Sequence, residues 1–135
     1  MALQYSVTVR NAKLDSIVTT TGASPLLRIY TGSVPGTCAT AASGTLLVEM
    51  TLPSTWMGAA GNGAKSMSGT WQDSSANATG TAGYWRIYKS DGTTCTMQGT
   101  VTATGGGGDM TLDNTSITAG QSVTVTGFGI TAGQA

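Results

Sequence analysis

The chain contains no histidine. That single absence removes the commonest general base, the commonest metal ligand and the usual partner of a nucleophilic Ser or Cys, so catalytic triads of that kind are excluded. Charge is scarce as well: six basic and six acidic side chains give a formal net charge of +0, and only 9% of residues are charged. Such a chain has no basic face to neutralise a run of phosphates or to dock on an anionic membrane, so neither nucleic acid nor membrane is an expected partner. No run approaches the roughly 20 apolar residues of a membrane span. The opening Met1-Ala-Leu-Gln-Tyr-Ser6 lacks the basic, apolar and small-residue order of a secretory signal, and cytoplasmic synthesis is the expectation. Cysteine is limited to Cys38 and Cys95, far apart and outside any CxxC spacing. Two small buried thiols are the simpler reading and a single disulfide the sharper one.

Carboxylates are equally few, and Asp15, Glu49, Asp73, Asp91, Asp109 and Asp113 each suit a turn, a cap or a surface strand. Asp109 and Asp113 with Asn114 offer oxygens for Ca²⁺, but no loop has the alternating acidic pattern of a dedicated calcium loop, and two turn residues flanking Met110-Thr-Leu112 is the plainer reading. Gly105 to Gly108 is followed by Asp109 and not by Lys and Ser/Thr, so it reads as a flexible strand connection and not a phosphate cradle. The expectation is a protein without cofactor or metal, and not an enzyme. The tripeptides Asn77-Ala-Thr79 and Asn114-Thr-Ser116 match glycosylation acceptors by chance in so Thr-rich a chain.

What the chain does have is Thr, Ser, Ala and 20 Gly, with 39% hydrophobic residues over 135 positions. This length suits one domain, and the hydrophobic content argues for a packed core with many turns. A neutral, Thr-rich surface is best tolerated when partners cover much of it.

Ser6 to Val18 reads as the one helix, with Ser6 as its cap, Val7, Leu14, Ile17 and Val18 near one face, and Arg10, Asn11, Lys13 and Asp15 largely elsewhere. Gly22 suits its termination. From Pro25 onward short β runs alternate with Gly, Asp, Asn and Ser: Leu26 to Thr31, Thr45 to Leu52 ended by Pro53, Lys65 to Trp71, Gly83 to Tyr88, Thr94 to Thr104, and Met110 to Ile130 broken near Asp113-Asn114 and Ala119-Gly120. Lys65 to Trp71 alternates so as to place Met67 and Trp71 on one face. Asp91-Gly92 marks a hairpin turn. Arg28-Ile29-Tyr30 before Thr37-Cys38 is echoed by Arg86-Ile87-Tyr88 before Thr94-Cys95. The echo reads either as two hairpins of similar alternation or as equivalent strands of two packed sheets, with Ile29 and Ile87 inward and the arginines and tyrosines outward. The fold expected is mainly β, a jelly-roll-like or related antiparallel β-sandwich with one short N-terminal helix: residues 1–22 as an arm and helix, 23–135 as a single sandwich domain. Trp56, Trp71 and Trp85 with Tyr5, Tyr30, Tyr84 and Tyr88 either pack the core or form a stacking platform for a sugar.

Three segments carry a resemblance when taken together: Val9-Arg-Asn-Ala-Lys-Leu-Asp15; Leu27-Arg-Ile-Tyr-Thr-Gly32 leading to Gly44-Thr-Leu-Leu47; and Ala76 through Tyr88 with Gly99-Thr-Val-Thr102. From about Val9 to Ile130 the chain resembles small proteins encoded among the structural genes of tailed phages and prophages. The resemblance implies a virion component, assembled in the host cytoplasm, with no catalytic residues to carry over. It further implies a capsid cement, or decoration, protein that binds the outer capsid surface and bridges capsomers. The partner implied is the major capsid protein; a homodimer on two-fold axes is expected because that is the commonest closed symmetry, with Tyr5, Arg10 and Lys13 in the arm and Trp56 and Met57 after Pro53 as candidate contacts. The alternative is a tail or fibre accessory module that binds another virion protein or a host surface glycan.

Overall fold

A computed structural model describes residues 3–134. The helix, α1 (Val7–Thr21), is capped by Ser6, whose side chain accepts from the Val9 backbone N–H, and ends at Gly22, whose N–H donates to the Val18 carbonyl. Gly22 has φ 88° and ψ 179°, a positive-φ conformation outside the left-handed helical region but still one that favours glycine.

Ten strands follow: β1 (Leu26–Tyr30), β2 (Leu46–Thr51), β3 (Ala64–Ser66), β4 (Gln72–Asp73), β5 (Gly80–Thr81), β6 (Tyr84–Tyr88), β7 (Cys95–Ala103), β8 (Met110–Leu112), β9 (Ser116–Ile117) and β10 (Val123–Thr131). The large sheet runs β2-β1-β6-β7-β8-β10-β3 with β4 also on β10, and β5 and β9 form a small separate pair. The chain is mainly β with one N-terminal helix, an arrangement compatible with a sandwich. The turn between β6 and β7 falls at Asp91-Gly92 as the sequence indicates, with Asp91 Oδ1 accepting from the N–H groups of Thr93 and Thr94 and Gly92 at φ 73°.

One pairing departs from the antiparallel expectation. β7 and β8 are parallel, with Val101 opposite Met110 and Ala103 opposite Leu112. Parallel neighbours ordinarily need a crossover of a dozen or more residues. Here β8 is short and starts only two positions back from the end of β7, so the chain needs only a tight loop. The glycine run supplies it: Gly105 and Gly107 have φ of 86° and 82°, and a Cβ on Gly106 or Gly108 would press on Thr102 at 2.7 and 2.9 Å. The run is shaped by these requirements, a more specific role than flexible connection.

The expected strand Lys65 to Trp71 is also divided. β3 ends at Ser66, Met67 makes an isolated bridge to Met57, and Gly69, at φ 75° over Pro53, turns the chain before β4. Trp71 is buried and Met67 packs partly against the core.

The core is an apolar cluster of Leu27, Ile29, Leu47, Val48, Trp85, Ile87, Val101, Met110, Leu112, Val123 and Val125 among others. Through it runs an aromatic series: Trp56 to Trp71 at 6.2 Å, Trp71 to Phe128 at 5.5 Å, and Phe128 edge-on to Trp85 at 5.1 Å between ring centroids. All three tryptophans are at most 3% exposed and Tyr30, Tyr84 and Tyr88 are buried, so these aromatics pack inside and do not form a surface stacking platform; only Tyr5 of the set stays partly exposed.

The echoed tripeptides are not in separate packed sheets. β1 and β6 are antiparallel neighbours, with Arg28 opposite Arg86, Ile29 opposite Trp85 and Tyr30 opposite Tyr84. Ile29 and Ile87 are inward as expected, but Tyr30, Tyr84, Arg86 and Tyr88 are buried as well, which corrects the reading that the arginines and tyrosines face solvent. The reason is a third layer: the connection between β1 and β2 folds back over this face of the sheet, so β6 is covered on both sides.

Candidate functional site

The covered face is built around Arg86, 2% exposed. Its Nη2 donates to the backbone carbonyls of Thr40 at 2.6 Å and Thr37 at 3.1 Å, Nε donates to Gln98 Oε1 at 3.1 Å, and Nη1 reaches the Tyr88 hydroxyl at 3.4 Å. Gln98 Nε2 donates to the Pro35 carbonyl, while the Tyr84 hydroxyl donates to the Ser43 carbonyl and accepts from its N–H. Tyr30 and Tyr84 stack with centroids 5.1 Å apart. No carboxylate faces Arg86 among these partners; carbonyl dipoles and neutral oxygens take the place of water around a buried cation. Sequence reading missed this cluster because an arginine between two large side chains in a strand ordinarily belongs to the wet face. The Pro35, Thr37, Thr40 and Ser43 carbonyls that hold it lie in an irregular segment with no pattern of its own.

The N-terminal helix docks in an equally mixed way. Arg10 Nε donates to the Ala132 carbonyl and Nη2 to that of Asn62, the Gly63 N–H donates to Asn11 Oδ1, and Asp15 pairs with the buried Lys65 at 2.9 Å. Leu14 is buried, Val18 packs on the core, and Thr21 Oγ1 hydrogen-bonds Thr96. Arg10, Asn11, Leu14, Val18 and Thr21 follow helical spacing, and three of these five are polar, so the contact stripe is not an apolar face. Val7, expected on the buried face, is 46% exposed because the docking contacts begin one turn later, at Arg10.

These placements sort the candidate contacts. Trp56 and Met57 are 1% and 4% exposed core residues, and the Trp56 indole N–H donates to the Gly22 carbonyl, so neither offers a side chain to a partner. Arg10 is spent on fastening the helix. Tyr5 and Lys13 stay at the surface as a unit, with Lys13 Nζ 4.5 Å from the Tyr5 ring centroid. The arm and first helical turns also expose large apolar side chains, Leu3 at 55% and Val9 at 42%, which sequence reading did not single out, and Val7 at 46%.

A second feature is a cleft of about 310 Å³ lined by Trp85, Met97, Gln98, Asp109, Phe128 and Ile130. Trp85 Nε1 is buried and, among the described residues, has no hydrogen-bond partner. Asp109 Oδ2 accepts from the Thr100 N–H and hydroxyl. Gly99, opposite Trp85 in register, leaves the space: a Cβ there would lie 2.6 Å from Asp109 Oδ2 and 2.9 Å from Trp85 Nε1.

The oxygens considered for Ca²⁺ have separate roles. Asp113 Oδ1 accepts from the Thr124 N–H and Asn114 Oδ1 from the Ser116 N–H, and among the described residues no three His, Cys, Asp or Glu side chains gather to hold a metal. No described helix is long and apolar enough to cross a membrane. Comparison with known proteins found no matching family, no matching characterised protein and no matching solved structure.

Proposed function

We propose that the chain is a structural virion protein that cements the capsid, binding the outer shell through its N-terminal arm and first helical turns. One observation carries this reading: Leu3 in the arm and Val7 and Val9 in the first turn of α1 are exposed apolar side chains, near in sequence to the Tyr5 and Lys13 pair, and α1 is fastened to the β body through Arg10, Asn11 and Asp15. Apolar side chains on a rigidly held helix keep less entropy to lose on docking than those of a loose tail. Covering three half-exposed aliphatic side chains contributes on the order of 3 kcal/mol per copy at the usual area coefficient. Many such weak contacts on one lattice add by avidity. The near-absence of charge supports the same reading, since such a surface suits coverage by partners. The resemblance to tailed-phage structural proteins supplies the shell as the object.

The test is to image particles that contain the protein and to heat shells with and without it. Shells lacking it are expected to rupture at lower temperature, and Val7→Asp with Val9→Asp is expected to release it while leaving its own fold intact. Equal rupture temperatures, or density confined to one vertex or the tail, sink the cement reading.

The cleft favours a second reading, a tail or fibre module that binds a host glycan. A sugar hydroxyl both accepts and donates, which suits an unpaired Trp85 N–H beside the Asp109 carboxylate over an apolar floor. Titration of labelled protein with a panel of neutral monosaccharides is expected to shift the Trp85 indole N–H resonance. No movement at tens of millimolar sugar removes this reading.

A further inference from the structure

The sequence places Cys38 and Cys95 far apart, and the fold brings them together. Cys95 opens β7 opposite Tyr88, and its thiol donates to the Met97 carbonyl at 3.4 Å. Cys38 lies in the β1 to β2 connection, in the stretch whose Pro35, Thr37 and Thr40 carbonyls are pinned by Gln98 and Arg86. Gln98 and Arg86 are themselves register partners of the β6 and β7 ladder. Those hydrogen bonds set Cys38 against the start of β7, where Cys95 lies, and both thiols are half-buried and free. These are the only two cysteines of the chain, and they meet across a contact already held in place by neighbouring hydrogen bonds.

We infer that Cys38 and Cys95 form a redox-responsive pair, which closes an intramolecular disulfide and locks the β1 to β2 connection onto the sheet. This inference stands on the thiol geometry and does not depend on the function proposed above. The oxidant is a low-molecular-weight disulfide of the glutathione class. The Cys38 thiolate attacks one sulfur of that disulfide, forming a mixed disulfide and releasing one small thiol. The Cys95 thiolate then attacks the Cys38 sulfur and expels the second small thiol. Two cysteine protons leave, and two electrons reduce the small disulfide to two thiols. Burial, and then the hydrogen bond to Cys38, push the Cys95 thiol up to about 12. The second step is therefore slow at neutral pH and base-accelerated, and capping Cys38 in the first step removes one of the influences that hold the Cys95 proton.

The experiment uses the full chain, fully reduced and then exposed to oxidised glutathione at mildly alkaline pH, with alkylation in denaturant and intact-mass analysis. The expected product is monomeric, lighter by two hydrogens, carries no glutathione and resists alkylation at both positions. Digestion is expected to yield a Cys38–Cys95 linked peptide pair that reductant separates. Its melting temperature is expected to rise by roughly 5 to 15 °C, because a long loop is closed in the unfolded chain. Cys38→Ser and Cys95→Ser are each expected to retain one glutathione and to show no such rise. Two thiols that stay alkylatable, two retained glutathiones per chain, or disulfides between chains would overturn the inference.

Discussion

Arg28 and Arg86 lie directly opposite each other on neighbouring antiparallel strands, and Tyr88 serves both. Its ring lies 4.7 Å beneath the Arg28 guanidinium, and its hydroxyl lies 3.4 Å from Arg86 Nη1. Like charges so placed repel, and the molecule separates their duties. Arg28 reaches outward to Glu49 at 2.6 Å and to the Gly92 carbonyl, while Arg86 holds down the β1 to β2 connection.

From this division follows an asymmetry in mutational cost. Arg86→Ala empties the space of a buried side chain, takes one of two donors from the Thr37 carbonyl and removes the donors to the Thr40 carbonyl and Gln98 Oε1, and is expected to destabilise the fold by roughly 2 to 4 kcal/mol. Arg86→Lys is expected to recover only part of this, because one ammonium cannot reproduce the fork. Arg28→Ala, at a partly exposed pair, is expected to cost below about 1 kcal/mol. Urea midpoints of the three variants check the order.

The Lys65 and Asp15 pair behaves as an unequal partnership. Lys65 has a side chain 7% exposed, whereas that of Asp15 is 59% exposed. Removing the acid strands a buried ammonium, and removing both charges does not. Asp15→Ala is therefore expected to cost roughly 1 to 3 kcal/mol, and adding Lys65→Met to that variant to return most of it. A double-mutant cycle by chemical denaturation reads the difference.

The glycine loop between β7 and β8 gives a graded series. Gly106→Ala and Gly108→Ala must displace Thr102, and Gly105→Ala must hold an L side chain at φ 86°, so each is expected to destabilise by about 1 kcal/mol or more. Gly36→Ala meets no atom within 4 Å and has no positive φ, so it is expected to change little. Thermal melts of the four variants suffice.

Stability is expected to fall at both ends of the pH scale, for separate reasons. Backbone N–H groups of Thr93 and Thr94 hold the Asp91 carboxyl down at about 2, from an ordinary 3.8. Its contribution is present above pH 4 and is lost as pH falls toward 2, loosening the β6 to β7 turn. Burial, then the hydrogen bond to Tyr88, push the Tyr30 hydroxyl from 10 up to about 12, and Cys95 moves from 9 to about 12. The unfolded chain loses these protons first, so stability declines as pH rises from about 9 to 12. Denaturation midpoints across pH check both limbs, and Cys95→Ser is expected to delay the onset of the alkaline one.

Much of the fold was legible where one local rule decided the outcome. Ser6 as cap, Asp91-Gly92 as turn and the inward Ile29 and Ile87 follow from capping, turn chemistry and alternation. The rest depended on partners distant in sequence. Arg86 is buried because a loop covers it, Trp56 and Met57 are core residues although they follow a proline, and α1 docks through Arg10, Asn11 and Asp15 where periodicity searches only for apolar faces. The parallel β7 and β8 pair has no local signal beyond four glycines. Of the candidate contacts only Tyr5 and Lys13 remain at the surface, and the exposed Leu3 and Val9 near them in sequence were marked by no pattern.

The burial of all three indoles in one aromatic series gives the molecule an intrinsic reporter. Each tryptophan is shielded from water and lies near another ring of the series, so the native state is expected to emit at short wavelength and with partial mutual quenching. Loss of the core anywhere along that series exposes the indoles and shifts the emission to the red. Ultraviolet fluorescence of the untagged chain can therefore register unfolding of the β body without a label.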